Sequence, residues 1–270
     1  MKSRKIKMTI EEFHHLPFRP AWKQDYYKGV LVESPREAVA HATISIQPRL
    51  AQSPVPFRTV LAEDERVLLP CFQSAFEDAF EFCDYTRENF ERAAIESLRR
   101  TFCDPAHPCL PASRVALGRP DSLHAHGPIG AALVVQLSDN WVLLDALFVT
   151  PEWQHRGIAS ALVTATLNEL HKMGGYRGMV SRYFLGNEAS CAWHRRFGFK
   201  EEPDFMLARL YLRAATQELI RLRAVVGLTP DLEHNLTQER ARWESEVERL
   251  DSLLDEGRQE EAFPWRKWQR

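Results

Sequence analysis

From residue 57 to residue 199 the chain alternates short apolar runs with longer stretches that carry apolar residues at helical spacing. Phe57-Arg58-Thr59-Val60-Leu61 reads as a short strand. Residues 62–80 and 85–101 read as helices, the first with Leu68, Leu69, Phe72, Phe76 and Phe80 at helical spacing. Residues 113–117 and 129–137 read as strands. Pro111 and Gly118 bound the first, Gly127-Pro128 and Ser138-Asp139-Asn140 the second. A strongly apolar strand follows at 141–149, then a helix at 157–173 closed by Gly174-Gly175, a strand at 178–184 and a helix at 188–197. This alternation predicts an α/β (α+β) domain.

The flanks read differently. Residues 1–56 are rich in proline and aromatics, too aromatic for a disordered tail, and are expected to pack on the main domain. Residues 8–15 predict a short helix, with Thr9 ahead of Glu11 and Glu12. A strand entered through Gly29 and another at 38–46 are expected. From Met206 the pattern is helical, with Leu207, Leu210, Tyr211 and Ala214 on one face. Thr229-Pro230 opens a second helix, a hydroxyl N-cap followed by proline at the first position. Its stripe is Leu236, Trp243, Val247, Leu250 and Leu254. The expected division is 1–56, 57–205 and 206–270, the last an antiparallel helical hairpin with an aromatic tail. That hairpin is either a stabilising appendage or the face of a homodimer. The tail, Phe263-Pro-Trp-Arg-Lys-Trp-Gln-Arg, is expected to dock on the N-terminal aromatics.

Composition narrows the class. With 35 Lys and Arg against 37 Asp and Glu, charge makes no case for nucleic acid or an anionic membrane. No run reaches the length of a membrane helix, and the start does not read as a signal peptide. Five scattered cysteines argue for free thiols in a reducing cytoplasm. Cys103, His107 and Cys109 fit no zinc spacing, so no metal is expected.

The chemistry is expected where the strand 141–149 gives way to the helix after Gln154-His155-Arg156-Gly157-Ile158-Ala159. The first N–H groups of a helix lack intrahelical partners, and its dipole adds partial positive charge there. A phosphate or pyrophosphate fits such a spot without lysine. Gly157 lets a ligand approach the backbone closely. Alone, the loop is weak evidence and suits a plain strand-to-helix turn. Downstream, Asn187-Glu188-Ala189-Ser190-Cys191-Ala192-Trp193-His194-Arg195-Arg196-Phe197-Gly198-Phe199 supplies a second segment.

Together the two segments resemble the GNAT superfamily of acyl-CoA-dependent N-acyltransferases. The first matches its Gln/Arg-x-x-Gly-x-Gly/Ala pyrophosphate loop, the second its Asn-x-x-Ala/Ser…Tyr-x-x-x-Gly-Phe segment. The resemblance covers about residues 57–202. It implies a central mixed, mostly antiparallel sheet flanked by helices, with acetyl-CoA as co-substrate and an amine as acceptor. It implies pyrophosphate contacts from Arg156, Gly157, Ile158 and Ala159, with side-chain help from Gln154 and Arg156. Phe148 and Val149 are implied to line the pantetheine arm through their main chain, and Asn187 and Ser190 to touch cofactor. Asn187 is also a natural N-cap. The family's final strand has no clear counterpart: residues 205–212 read as that strand or as a helix.

Two side chains are candidates for catalysis. Asp145 interrupts an apolar strand, which is costly unless the carboxylate is paired or faces a cleft. It could orient or deprotonate the amine, or pair with Arg182 on the next strand. His194 stands where many members have a tyrosine that protonates the departing thiolate. Imidazole titrates near neutrality, so it suits that task; the plain alternative is a partly exposed helix histidine. The implied reaction is direct attack of an amine on acetyl-CoA in a ternary complex. A non-catalytic acyl-CoA-binding module is the alternative.

Overall fold

The computed structural model describes residues 3–50, 52–118, 127–138, 140–225 and 229–263. In chain order the elements are β1 (Arg4–Lys7), α1 (Ile10–His14), β2 (Trp22–Tyr27), β3 (Val30–Pro35), β4 (Val39–Ser45), β5 (Phe57–Thr59), α2 (Asp64–Phe76), α3 (Arg87–Cys103), β6 (Arg114–Leu117), β7 (Pro128–Ser138), β8 (Trp141–Val149), α4 (Ile158–Met173), β9 (Gly178–Phe184), α5 (Glu188–Phe197), β10 (Lys200–Glu201), α6 (Phe205–Val225), α7 (Pro230–Asp255) and α8 (Gln259–Ala262). Contacts divide the chain into two compact units. One comprises Met1–His41, Tyr183–Cys191 and Glu201–Gln269; the other comprises Ala42–Arg182 and Ala192–Lys200. The unit boundaries therefore fall within β4, β9, α5 and β10.

The larger sheet is mixed and mostly antiparallel, with seven strands in the order β10-β4-β9-β8-β7-β6-β5. Neighbours from β5 to β8 are antiparallel, and β8 and β9 are parallel. All of residues 131–135 on β7 are buried, so both faces of the sheet are covered. On one face Leu68, Cys71 and Phe72 of α2 and Ala94 and Leu98 of α3 pack on Val115, Ala131, Leu133 and Phe148. The helix α4 covers β6, β7 and β8, and Arg114 on β6 pairs with its Glu169 at 2.8 Å. The helix expected at 62–80 is shorter at both ends. Asp64 sets its start by accepting the Leu61 N–H at 2.7 Å and both terminal nitrogens of Arg58 at 2.6 and 2.7 Å.

In the first unit β1, β3 and β2 form a small antiparallel sheet. The strand expected through Gly29 is β3, and it forms the second arm of a hairpin with β2. Lys28 and Gly29, at φ 47° and 79°, form its two-residue turn, and positive φ at both central positions matches the natural twist of paired strands. The short helix α1 carries the reciprocal cap: Glu12 N–H bonds Thr9 Oγ1 at 3.1 Å and Thr9 N–H bonds the Glu12 carboxylate at 2.7 Å. Residues 205–212 are helical and open α6, and β10, only two residues long, is the strand after the Gly-Phe pair. Its neighbour Glu202 donates to His41 O at 2.9 Å.

The helices α6 and α7 pack antiparallel. Tyr211 meets Trp243 at 4.6 Å between ring centroids, and Arg223 pairs with Glu233 at 2.6 Å. Thr229 caps α7, with Pro230 first in the helix as expected. Trp243 and Leu250 of the apolar stripe are buried within the hairpin itself, with Leu253 and Ala262. The aromatic tail beyond Phe263 lies outside the described residues. Among those residues no helix is long and apolar enough to cross a membrane, and all five cysteines are free thiols.

Candidate active site

The site is built on a fork in the sheet. The parallel ladder between β8 and β9 runs from Trp141↔Gly178 to Leu144↔Ser181 and stops there. At the same level the β7–β8 register slips, with Leu133 opposite Ala146 and Val134 opposite Leu144. Asp145 is the extra residue of this bulge. A bulge bends its strand and puts two successive side chains on one face. Asp145 bonds Thr101 of α3, and Ala146 packs on the core under the same helices. Past the bulge, residues 146–149 lie beyond the last rung shared with β9.

Asp145 is nearly enclosed, its side chain 7% exposed. Thr101 Oγ1 donates to one carboxylate oxygen at 2.5 Å, and Arg182 pairs with the other at 3.2 Å. The ion pair expected as the structural alternative is thus present. Arg182 remains 45% exposed, so the pair opens to water on its cationic side. Successive strand residues face opposite ways, and the residue before Arg182 serves the other face. Ser181 Oγ lies 2.8 Å from His194 Nε2 on α5. Both are buried, Ser181 at 3% and His194 at 4% exposure. His194 is therefore an enclosed residue rather than a partly exposed one. Its ring meets Phe199 at 5.0 Å and Trp193 at 4.9 Å between centroids. The fork carries a carboxylate on one face and a hydroxyl–imidazole pair on the other.

The loop after β8 meets the electrostatic requirement for an anion. Gly157 is the N-cap of α4 at φ 78°, ψ 2°, and makes no side-chain cap. No acidic residue occupies the first turn, so nothing on the helix itself neutralises its N-terminal dipole. A Cβ built at Gly157 would meet no atom within 4 Å, so the peptide faces open space. His155 also has positive φ, 60°, and alternation of this kind turns successive N–H groups toward one side. Gln154 braces the loop, its Nε2 donating to Val149 O at 2.9 Å. Arg156 stacks over Trp153, with 4.9 Å from its Cζ to the ring. Trp193 Nε1 donates to Ser160 at 3.1 Å, tying α5 to the first turn of α4.

Phe148 and Val149 are buried at the end of β8. Asn187 and Ser190 belong to the first unit. There the Asn187 side-chain oxygen accepts the Ser190 N–H at 2.9 Å, which is the capping role. In the same unit Tyr183 donates to Glu201 at 2.5 Å. Burial, and then the bond to Glu201, push the phenol well above its ordinary pKa, so it stays protonated. His107 pairs with Asp104 at 3.1 Å, and among the described residues no group of three potential ligands could hold a metal.

Sequence reasoning missed Ser181 and Thr101. A polar residue inside the apolar strand 178–184 was a usable sign for Ser181. Thr101 offered none, since a hydroxyl in a last helical turn is ordinary.

The model of the acetyltransferase (GNAT) family matches residues 70–199. No curated protein sequence matches significantly. A solved GCN5-related N-acetyltransferase from Sphaerobacter thermophilus is 18% identical, over 61% of this chain and 48% of that one, with a TM-score of 0.40. One from Kribbella flavida is 13% identical, over 60% and 53%, with a TM-score of 0.38. AAC(6')-Iy, solved with the bisubstrate analog CoA-S-monomethyl-acetylneamine, is 19% identical over 56% of this chain and 94% of its own, with a TM-score of 0.39. The chain spans about half the length of the Sphaerobacter and Kribbella chains.

Proposed function

Since this chain carries an acetyltransferase (GNAT) family domain over residues 70–199, we propose that it transfers an acetyl group from acetyl-CoA to a primary amine of a small molecule or peptide. The reading rests above all on the N-terminus of α4. It is uncapped by any side chain, free of acid in its first turn, and faces open space at Gly157. In this reading the N–H groups of Arg156, Gly157, Ile158 and Ala159 hold the pyrophosphate. The main chain of Phe148 and Val149 lines the pantetheine arm.

A direct attack needs a neutral amine, a stabilised oxyanion and help for the departing thiolate. We assign the first task to Asp145. Thr101 and Arg182 hold it in place, and its position at the bulge puts it at the end of the β8–β9 ladder. His194 serves the thiolate from the opposite face. The setting we propose is the cytoplasm, where free thiols persist.

The test is thiol release from acetyl-CoA by purified protein across peptides, polyamines, amino acids and aminoglycosides. Release with at least one amine is expected. A non-catalytic acyl-CoA-binding module is favoured by the imidazole at 194 and by the two-residue β10. Tight CoA binding with no release across the panel would establish that module instead.

A further inference from the structure

Building on the acyl-transfer reading, we propose that Ser181 is the residue that meets the sulfur of the cofactor. Its hydroxyl donates a hydrogen bond to the departing thiolate, while His194 Nε2–H donates to Ser181 Oγ. Ser181 forms the last rung of the β8–β9 ladder, so it stands where the strands part and a pantetheine arm would enter. The 2.8 Å contact places the imidazole behind the serine. His194 therefore acts on the sulfur through Ser181. A hydroxyl has one hydrogen to give and two lone pairs to accept with, so it can take the imidazole proton bond and pass its own forward.

Burial makes this chain effective. At 3% and 4% exposure the two groups sit in a low-dielectric setting, where a bond to an ion is strengthened and successive bonds polarise one another. Phe199 and Trp193 fix the ring orientation. The faces divide the labour: Asp145 works on the amine side and Ser181 on the sulfur side. As the N–C bond forms and the C–S bond breaks, the electron pair of the C–S bond stays on sulfur. The surplus proton of the amine goes to Asp145, and Ser181 stabilises the thiolate without losing its own proton.

Free CoA, which carries the thiol itself, tests this without an acceptor. Bound CoA is titrated with pH in the intact 270-residue chain, following the ultraviolet absorbance of the thiolate. In the wild type the bound thiol is expected to ionise more readily than free CoA. Ser181→Ala should raise the pKa of the bound thiol by about one unit, a roughly tenfold loss of thiolate at a given pH. Affinity at acidic pH, where the thiol is protonated, should stay the same. His194→Phe, which keeps the serine but removes its donor, should shift the curve the same way by about threefold. It also serves as the test if Ser181→Ala does not fold. Superimposable titration curves in wild type and variant, with CoA bound in both, would overturn the role of Ser181. Failure of the wild type to bind CoA would instead overturn the acyl-CoA reading beneath it.

Discussion

Gly157→Leu separates the fold from the cofactor site. Gly157 sits at φ 78°, where any residue with a Cβ is strained. The cost is about 1–2 kcal/mol. No atom lies within 4 Å of the built Cβ, so packing adds nothing to that cost. For a chain of 270 residues, this corresponds to a fall in Tm of roughly 2–8 °C. Binding should suffer far more. A leucine would project into the space above the first-turn N–H groups. Each hydrogen bond to a charged oxygen is worth about 1.5–3 kcal/mol. Losing two weakens CoA binding by at least about a hundredfold. Calorimetric titration gives the Kd, and thermal melting without ligand gives the fold cost. A variant that melts within those few degrees of wild type yet binds CoA equally well would refute the loop as the pyrophosphate site.

Three further outcomes are expected. Asp145→Asn keeps an acceptor for Thr101 and loses only the partly solvated pairing with Arg182, so stability should fall by less than about 1 kcal/mol. The rate of transfer should fall at least about a hundredfold; an unchanged kcat would reduce Asp145 to a structural role. Gly178→Ala would drive a methyl into the Trp141 ring that lies over it, costing about 1–3 kcal/mol by overpacking, which urea unfolding measures; equal stability would show that the indole yields. Acid should destabilise the protein through two buried carboxylates. Burial pushes Glu33 and Asp64 up, but bonds from Gln24 and Arg4 to the first, and from Arg58 and the Leu61 N–H to the second, outweigh it and hold both below their ordinary 4.5 and 3.8. Their contribution is complete above about pH 4.5 and is lost as pH falls through the lowered folded-state values. Unfolding free energies measured across that range should flatten in Glu33→Gln combined with Asp64→Asn, and an unaltered slope would reject the assignment.

Much of the fold was legible because local rules set it. Period-two and helical patterns placed β5 to β9 and α2 to α5 within a few residues. The Thr9 and Thr229 caps were written in hydroxyls beside acids or proline. Where local rules balance, the sequence was silent. Residues 205–212 suit a strand or a helix equally well, and burial against α7 made them helix. The pair Lys28-Gly29 does lead into β3, but only the pairing with β2 makes it the turn of a hairpin.

At the site, the sequence by itself determined the anion-ready loop, because that property lies in contiguous backbone: a glycine, no acid in the first turn, and a helix behind it. It also marked Asp145, since a carboxylate in an apolar strand must find a partner somewhere. The identity of those partners was decided only by tertiary structure. Thr101 and Arg182 lie 44 and 37 residues away in sequence from Asp145. The bulge that turns Asp145 toward them is a slip in register between two strands, a property of the pair that neither strand carries alone. The same holds for Ser181 and His194, which become a hydroxyl–imidazole pair only because α5 closes over β9 just where the ladder ends.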